Sequence, residues 1–206
     1  MSGAYWPELP QETVREIVRV SLENGINWFD TAEIYGNGAS ETSLAEALQA
    51  LNVSKNRYIL ADKWFPAMRV ARSIKNSFAE REGALHGIAI DLHQIHQPIS
   101  FSSVEKQVAA MADLLQRGKI RAVGVSNFNI DRMARAHKRL EQEGVPLASN
   151  QIRFSLLDRE AERSGLLKAA QELGVTIIAY SPLAQGILTG KYHRGEDIRQ
   201  KKGPRK

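Results

Sequence analysis

Short apolar runs in this chain end repeatedly on a polar residue: Asp30, Lys63, His96, Ser126, Gln151 and Tyr180. Successive members lie 33, 33, 30, 25 and 29 residues apart. One strand, one helix and their two connections take about 30 residues. The spacing therefore predicts one such side chain per βα unit, at the carboxyl end of each strand. In a (β/α)8 barrel that end is where catalytic residues collect. The expectation is an active site dispersed over successive strands.

The segments between these residues keep the same grammar. In Gln11–Asn24, Val14, Ile17, Val18, Ser21 and Leu22 follow the i, i+3, i+4 rhythm of an amphipathic helix, and Ile26–Asp30 reads as a short buried strand. Helices marked by Leu44, Leu48 and Leu51, by Val70, Ile74 and Phe78, and by Val104, Val108, Met111 and Leu115 alternate with strands at Tyr58–Asp62, Ala89–His96 and Ile120–Ser126. A helix through Met133, His137 and Leu140 leads to a strand at Leu147–Phe154. A helix with Leu166, Leu167, Ala170 and Leu173 leads to the last strand, Val175–Tyr180. Ser102-Ser103-Val104-Glu105 fits a capping box. Gly25, Gly118, Gly144 and Gly174 each stop a helix just before a strand, which implies short connections, parallel strands and right-handed crossovers.

Six strands emerge, in an α/β chain of 206 residues that is 43% hydrophobic. That is enough for a single domain, with its core over 10–192 and a basic loop or tail over 193–206. It is short for a whole (β/α)8 barrel, typically about 250 residues. The net charge is +5, but Arg194–Lys206 carries six basic residues against two acidic ones. The body is thus almost neutral, which argues against nucleic acid as a partner. The chain has no cysteine, which excludes disulfides, thiolate chemistry and cysteine-ligated zinc; no metal is expected. No apolar run approaches the roughly 18 residues that span a membrane, and Met1–Pro10 lacks a secretory pattern. A soluble, cytoplasmic protein is expected.

Taken singly, Asp30 reads as a turn former, Tyr35 as a packing residue, Lys63 as a solvated charge and His96 as a hydrogen-bonded structural histidine. Side-by-side strand ends would bring Asp30, Lys63 and His96 to one pocket, with Tyr35 above it on the first loop. An ammonium beside a phenol favours its ionised form, and a carboxylate can hold the ammonium in place. Such a phenol can protonate a carbonyl oxygen as negative charge develops there, while His96 hydrogen-bonds the same oxygen. His93 and His137 read as structural. His93 is three positions from His96, so strand alternation sends it to the other face.

The strings Gly25-Ile26-Asn27-Trp28-Phe29-Asp30-Thr31-Ala32-Glu33-Ile34-Tyr35-Gly36, Asp91-Leu92-His93-Gln94-Ile95-His96, Gly124-Val125-Ser126-Asn127-Phe128, Asn150-Gln151, Ala179-Tyr180-Ser181-Pro182-Leu183 and Gly186-Ile187-Leu188-Thr189-Gly190-Lys191-Tyr192 resemble, in order and interval, those of the aldo-keto reductases. The last two look most like the bacterial and plant oxidoreductases that include pyridoxal reductases. The resemblance implies a catalytic tetrad of Asp30, Tyr35, Lys63 and His96, with Tyr35 as general acid. It implies that Ser126, Asn127 and Gln151 hold the nicotinamide carboxamide and that Tyr180 stacks on its ring. Ser181, Leu183, Gln185, Gly186 and Lys191 would line the pyrophosphate and ribose. The implied reaction is reduction of an aldehyde or ketone by NADPH. The alternative is a cofactor-sensing subunit like the potassium-channel β subunits, or a catalytically impaired remnant. Those subunits carry Asn where this chain has His96, which favours the enzyme.

Against the family pattern, the first and eighth strands and the loop that grips the adenosine 2′-phosphate are missing. The expectation is an incomplete, truncated barrel with an open edge prone to self-association, and weakened NADPH affinity.

Overall fold

The computed structural model describes residues 9–190. Its elements are α1 (Gln11–Glu23), β1 (Trp28–Asp30), α2 (Ala39–Ala50), β2 (Ile59–Trp64), α3 (Arg72–Ala84), β3 (Ile90–Ile95), α4 (Val104–Gln116), β4 (Ile120–Ser126), α5 (Ile130–Glu141), β5 (Leu147–Arg153), α6 (Glu160–Arg163), α7 (Leu166–Glu172) and β6 (Thr176–Tyr180). All neighbouring strands pair in parallel, in the order β1-β2-β3-β4-β5-β6. This is the curled parallel sheet of a (β/α)8 fold with six strands among the described residues. Its edges are β1 and β6.

Helix termination works as the sequence predicts. At Gly118, φ is +68°, which lets its N–H reach Leu115 O at 2.8 Å while Lys119 N–H reaches Leu114 O at 2.9 Å. The chain can then turn straight into β4. The helix stripes pack on the outer face of the sheet. Val14, Val18, Leu44, Leu48, Ile74, Val108, Met111, Met133 and Leu140 are buried there with Ile95, Val123, Val125 and Ile152. Buried on both faces, β3 has no exposed residue from Ile90 to Ile95.

Several local expectations need correction. β1 starts at Trp28, and Ile26 is exposed because its N–H folds back to Ser21 O (2.8 Å) to finish the α1 turn. β2 runs two residues past Asp62, so Lys63 lies within it. Val70 precedes α3 and is exposed. Ser102 is no helix cap: its Oγ accepts from Ala71 N–H (2.9 Å), and Ser103 caps α4 instead. Glu105 turns away to Arg135 (2.8 Å), because an Arg on the next helix offers a charged partner. The one-turn helix α6 carries no periodic signal and was not expected.

Inside the curl, a mainly apolar cavity of about 610 Å³ is lined by Trp28, Ile59, Leu92, Ala122 and Ile178. These residues sit toward the strand starts. The polar strand-end residues lie at the opposite end.

Candidate active site

Strand register builds the site. Lys63 stands opposite Gln94, and Ser126 opposite Gln151, so side chains from neighbouring strands share one level of the inner face. Asp30 ends β1 and Lys63 is the penultimate residue of β2. The Lys63 ammonium, wholly buried, donates to Asp30 Oδ2 and to Thr31 O (2.8 Å). Two oxygens thus compensate a charge that burial would otherwise make costly. The same ammonium lies 5.1 Å from the centre of the Tyr35 ring.

His96 follows β3 directly, its N–H bonded to Trp64 O (2.9 Å). Its ring meets Tyr35 edge-on, centroids 5.5 Å apart, and meets Phe65 in the same way at 5.7 Å. Burial, and secondarily the Lys63 charge, push His96 down to about 4. It is therefore a neutral imidazole near pH 7, and its buried Nδ1 has no hydrogen-bond partner among the described residues. Asp30, Tyr35, Lys63 and His96 thus converge as the spacing predicts.

A second group joins the first. Gln151 Nε2 donates to Asp30 Oδ1 (3.2 Å), bridging β5 to β1 across the curl. Ser126 Oγ donates to Gln151 O (2.9 Å) and accepts from Asn127 Nδ2 (3.1 Å). Asn127, at φ +59°, also donates to His96 O (3.3 Å) and accepts from the Tyr180 hydroxyl (3.0 Å). Burial pushes the Tyr180 phenol up, so it stays a neutral donor. Four residues implied by the resemblance for the nicotinamide are therefore one hydrogen-bonded set touching Asp30 and His96.

Ser181, Leu183, Gln185 and Gly186 follow β6 in a tight turn and a 3-10 run, Ala184–Thr189. Ser181 and Gln185 take positive φ (+53° and +55°), and Leu183 O caps the run by accepting from Gly186 N–H at 2.9 Å. Leu183 is exposed. None of the four bonds to the tetrad. Lys191 lies outside the described residues.

His93 faces outward, as alternation requires, and its ring meets Phe78 at 5.6 Å. It sits over buried Asp62, with Nδ1 3.5 Å from Oδ2. Residues with no role in the sequence reading prove to hold the site. Thr31 supplies its carbonyl to Lys63, and its hydroxyl donates to Ser40 (2.9 Å). Glu33 and Arg69 pair beneath the loops. Glu33 lies inside the recognised string, so its place beside Tyr35 was visible; Arg69 gave no signal.

A profile of the Aldo/keto reductase family matches residues 1–206. The chain belongs to that family. An uncharacterized oxidoreductase of Mycobacterium tuberculosis (strain ATCC 25618 / H37Rv) is 40% identical over 178 residues, covering 86% of this chain and 53% of its own length. A chloroplastic pyridoxal reductase of Arabidopsis thaliana is 33% identical over 193 residues, with coverages of 88% and 53%. This aldo/keto reductase chain therefore spans about half the length of the curated relatives it matches. A crystal structure of an aldo-keto reductase from Klebsiella pneumoniae in complex with NADPH superimposes with a TM-score of 0.78 at 26% identity, covering 96% of this chain and 69% of that one.

Proposed function

We propose that this chain carries the site of an NADPH-dependent carbonyl reductase, which reduces an aldehyde or ketone to the alcohol with Tyr35 as general acid. The observation that carries this reading is the buried Lys63 ammonium, held by Asp30 and placed beside the Tyr35 ring, with neutral His96 edge-on to it. As charge grows on a carbonyl oxygen, the Tyr35 hydroxyl gives it a proton. The Lys63 ammonium stabilises the phenolate left behind, and Asp30 holds the ammonium in place. His96 orients the carbonyl by hydrogen bonding, a task suited to an imidazole that stays neutral.

The residues present suit the cofactor. Ser126, Asn127 and Gln151 offer hydroxyl and amide groups matched to a carboxamide, and Tyr180 offers an aromatic face beside them. Ser181, Leu183, Gln185 and Gly186 form the turn assigned to pyrophosphate and ribose. Bound NADPH would supply the hydride. The Klebsiella relative, crystallised with NADPH, supports the choice of cofactor. We take the barrel portion as one unit acting on a small carbonyl compound. Support for self-association lies in the edges β1 and β6, each paired on one side only among the described residues. Among the described residues no helix is long and apolar enough to cross a membrane.

The test is titration of the chain with NADPH by fluorescence, followed by aldehyde-dependent loss of NADPH absorbance, with Tyr35→Phe as control. Binding with turnover that Tyr35→Phe abolishes is expected. Binding without turnover would assign a cofactor-sensing role, and no binding up to millimolar NADPH would overturn the proposal.

A further inference from the structure

Three loops at the carboxyl ends of β1, β2 and β3 each contribute one ring to the cluster of Tyr35, Phe65 and His96. Loops have little structure of their own to fix such an arrangement. The first loop is especially permissive, with Gly36, Asn37 and Gly38 all at positive φ just after Tyr35. What fixes the loops lies on the side away from the rings.

Glu33, two residues before Tyr35, is the anchor of the first loop. Its carboxylate, only 10% exposed, accepts from the Phe65 N–H and from the Arg69 guanidinium, with Arg81 at 3.5 Å. Its own N–H donates to Lys63 O (3.3 Å). Arg69 belongs to the second loop and is held on every side. Nη1 also donates to Phe65 O (3.1 Å), Nε to Ser73 Oγ (3.1 Å) and Nη2 to Ser77 Oγ (2.7 Å), and the guanidinium lies over the Trp64 ring at 5.3 Å. The Arg69 backbone carbonyl then takes the third loop, accepting from Ser100 Oγ (2.8 Å) and Phe101 N–H (3.1 Å).

We propose that Glu33 and Arg69 are positioning residues, a partly buried ion pair that rivets the three loops and so sets how Tyr35, Phe65 and His96 face the carbonyl. Neither touches the reacting atoms. Their leverage comes from geometry, because displacements of about 1 Å at reacting groups can cost 100-fold in rate. Arg is suited to the task because its planar fork serves Glu33, Phe65 O and Ser77 at once, which a lysine ammonium cannot do. The pair borders a polar cavity of about 470 Å³, so altered side chains there meet solvent and do not force a clash.

This inference rests on the carbonyl-reductase reading for its rate measurement, and the test separates the two. Glu33→Gln, Arg69→Lys and the double variant are made in the full chain. NADPH affinity is expected within about twofold of wild type, because its proposed contacts come from β4, β5, β6 and the segment after β6. At a temperature where all variants are folded, kcat is expected to fall about 10- to 100-fold in each single variant. The double variant should fall no further, because the two residues act as one unit. Lower melting temperature with unchanged kcat would reduce the pair to a structural role and overturn the proposal. If wild type turns over no carbonyl, the functional reading fails and the rivet is judged by NMR alone. Glu33→Gln should then speed amide exchange at Phe65 and Phe101 and shift the ring signals of Tyr35 and His96. Unchanged exchange and ring signals would overturn it.

Discussion

The Lys63 ammonium is held by the Asp30 carboxylate at a depth where water cannot replace either partner's role for Lys63: its side chain is 0% exposed, against 27% for Asp30. The pair is therefore asymmetric. The cation depends on the anion more than the anion depends on the cation.

That asymmetry separates stability from chemistry. Asp30→Asn leaves a buried ammonium with mainly the Thr31 carbonyl, and should cost about 2–3 kcal/mol. This is below the 3–5 kcal/mol typical of a fully buried pair because Asp30 is partly solvated. Lys63→Met removes the buried charge with similar volume, and should leave stability within about 1 kcal/mol of wild type or raise it. Both should lower aldehyde reduction by about 100-fold or more. Urea denaturation beside steady-state kinetics checks the pattern; equal destabilisation by the two substitutions would contradict it.

A second consequence concerns His96. Its folded value of about 4 lies below the ordinary 6.5, so its neutral form stabilises the fold above pH 6.5 and that contribution is lost as pH falls through about 4. The pH profile of kcat/KM should therefore show no histidine inflection near 6.5, and its acid limb should fall close to pH 4. A limb at 6–7 that disappears in His96→Gln would show that the ring is protonated in the working range.

The spacing of strand ends made Asp30, Lys63 and His96 legible because a βα unit has a nearly fixed length, so regular intervals in sequence become neighbours in space. The glycine stops were legible for a local reason, since positive φ is cheap only without a Cβ. The anchors beneath the loops were not. Glu33 and Arg69 are 36 residues apart, in loops whose path no periodicity describes. Alternation from His96 did place His93 on the outer face, but Asp62 escaped for another reason. A parallel strand covered on both faces loses the alternation that tells inside from outside, so a charged residue facing the helices looks like one facing the pocket. The Ser102 cap failed because a second serine beside it could do the same work, freeing Ser102 to bond Ala71.

Gly124 illustrates a packing constraint within a recognised string. A Cβ there would lie 2.5 Å from Ser149 Oγ and 2.9 Å from Gln94 Cγ, both inside the curl. Gly124→Ala should thus overpack the inner face and cost about 1–3 kcal/mol. Adding Ser149→Ala removes the nearer atom and should restore part of the loss. Thermal melts of the single and double variants check this. Equal melting temperatures for Gly124→Ala and wild type would mean that the inner face relaxes freely.

The outer-face charges carry the last prediction. Glu41 on α2 and Asp62 on β2 are fully buried, and none of their carboxylate oxygens has a hydrogen-bond partner among the described residues. Facing them are Arg81 on α3, 3.1 Å from Glu41, His93 on β3 and Glu33 on the first loop, while the Lys63 charge acts on Asp62 from the opposite face of β2. Burial pushes Glu41 up to about 8, helped by the Asp62 charge and opposed by Arg81. Burial likewise pushes Asp62 up, opposed by the dipole of the adjacent Lys63 backbone N–H, which is not within hydrogen-bond geometry, and by the Lys63 and Arg81 charges. His93 cannot supply the compensating proton, because burial holds it near 3. A carboxyl whose folded value is raised gives stability that is complete below its unfolded value, near 4, and is lost as pH rises through the folded one. Stability should therefore decline from about pH 4 to about pH 8 as the buried carboxyls ionise. Asp62→Asn and Glu41→Gln remove that cost without changing shape. At pH 5 each should melt within a few degrees of wild type; at pH 9 each should melt roughly 5 °C higher, corresponding to about 2 kcal/mol in a chain of this size. A loss of stability at pH 9 would instead make these carboxylates ordinary partners of Arg81, with no proton kept between them.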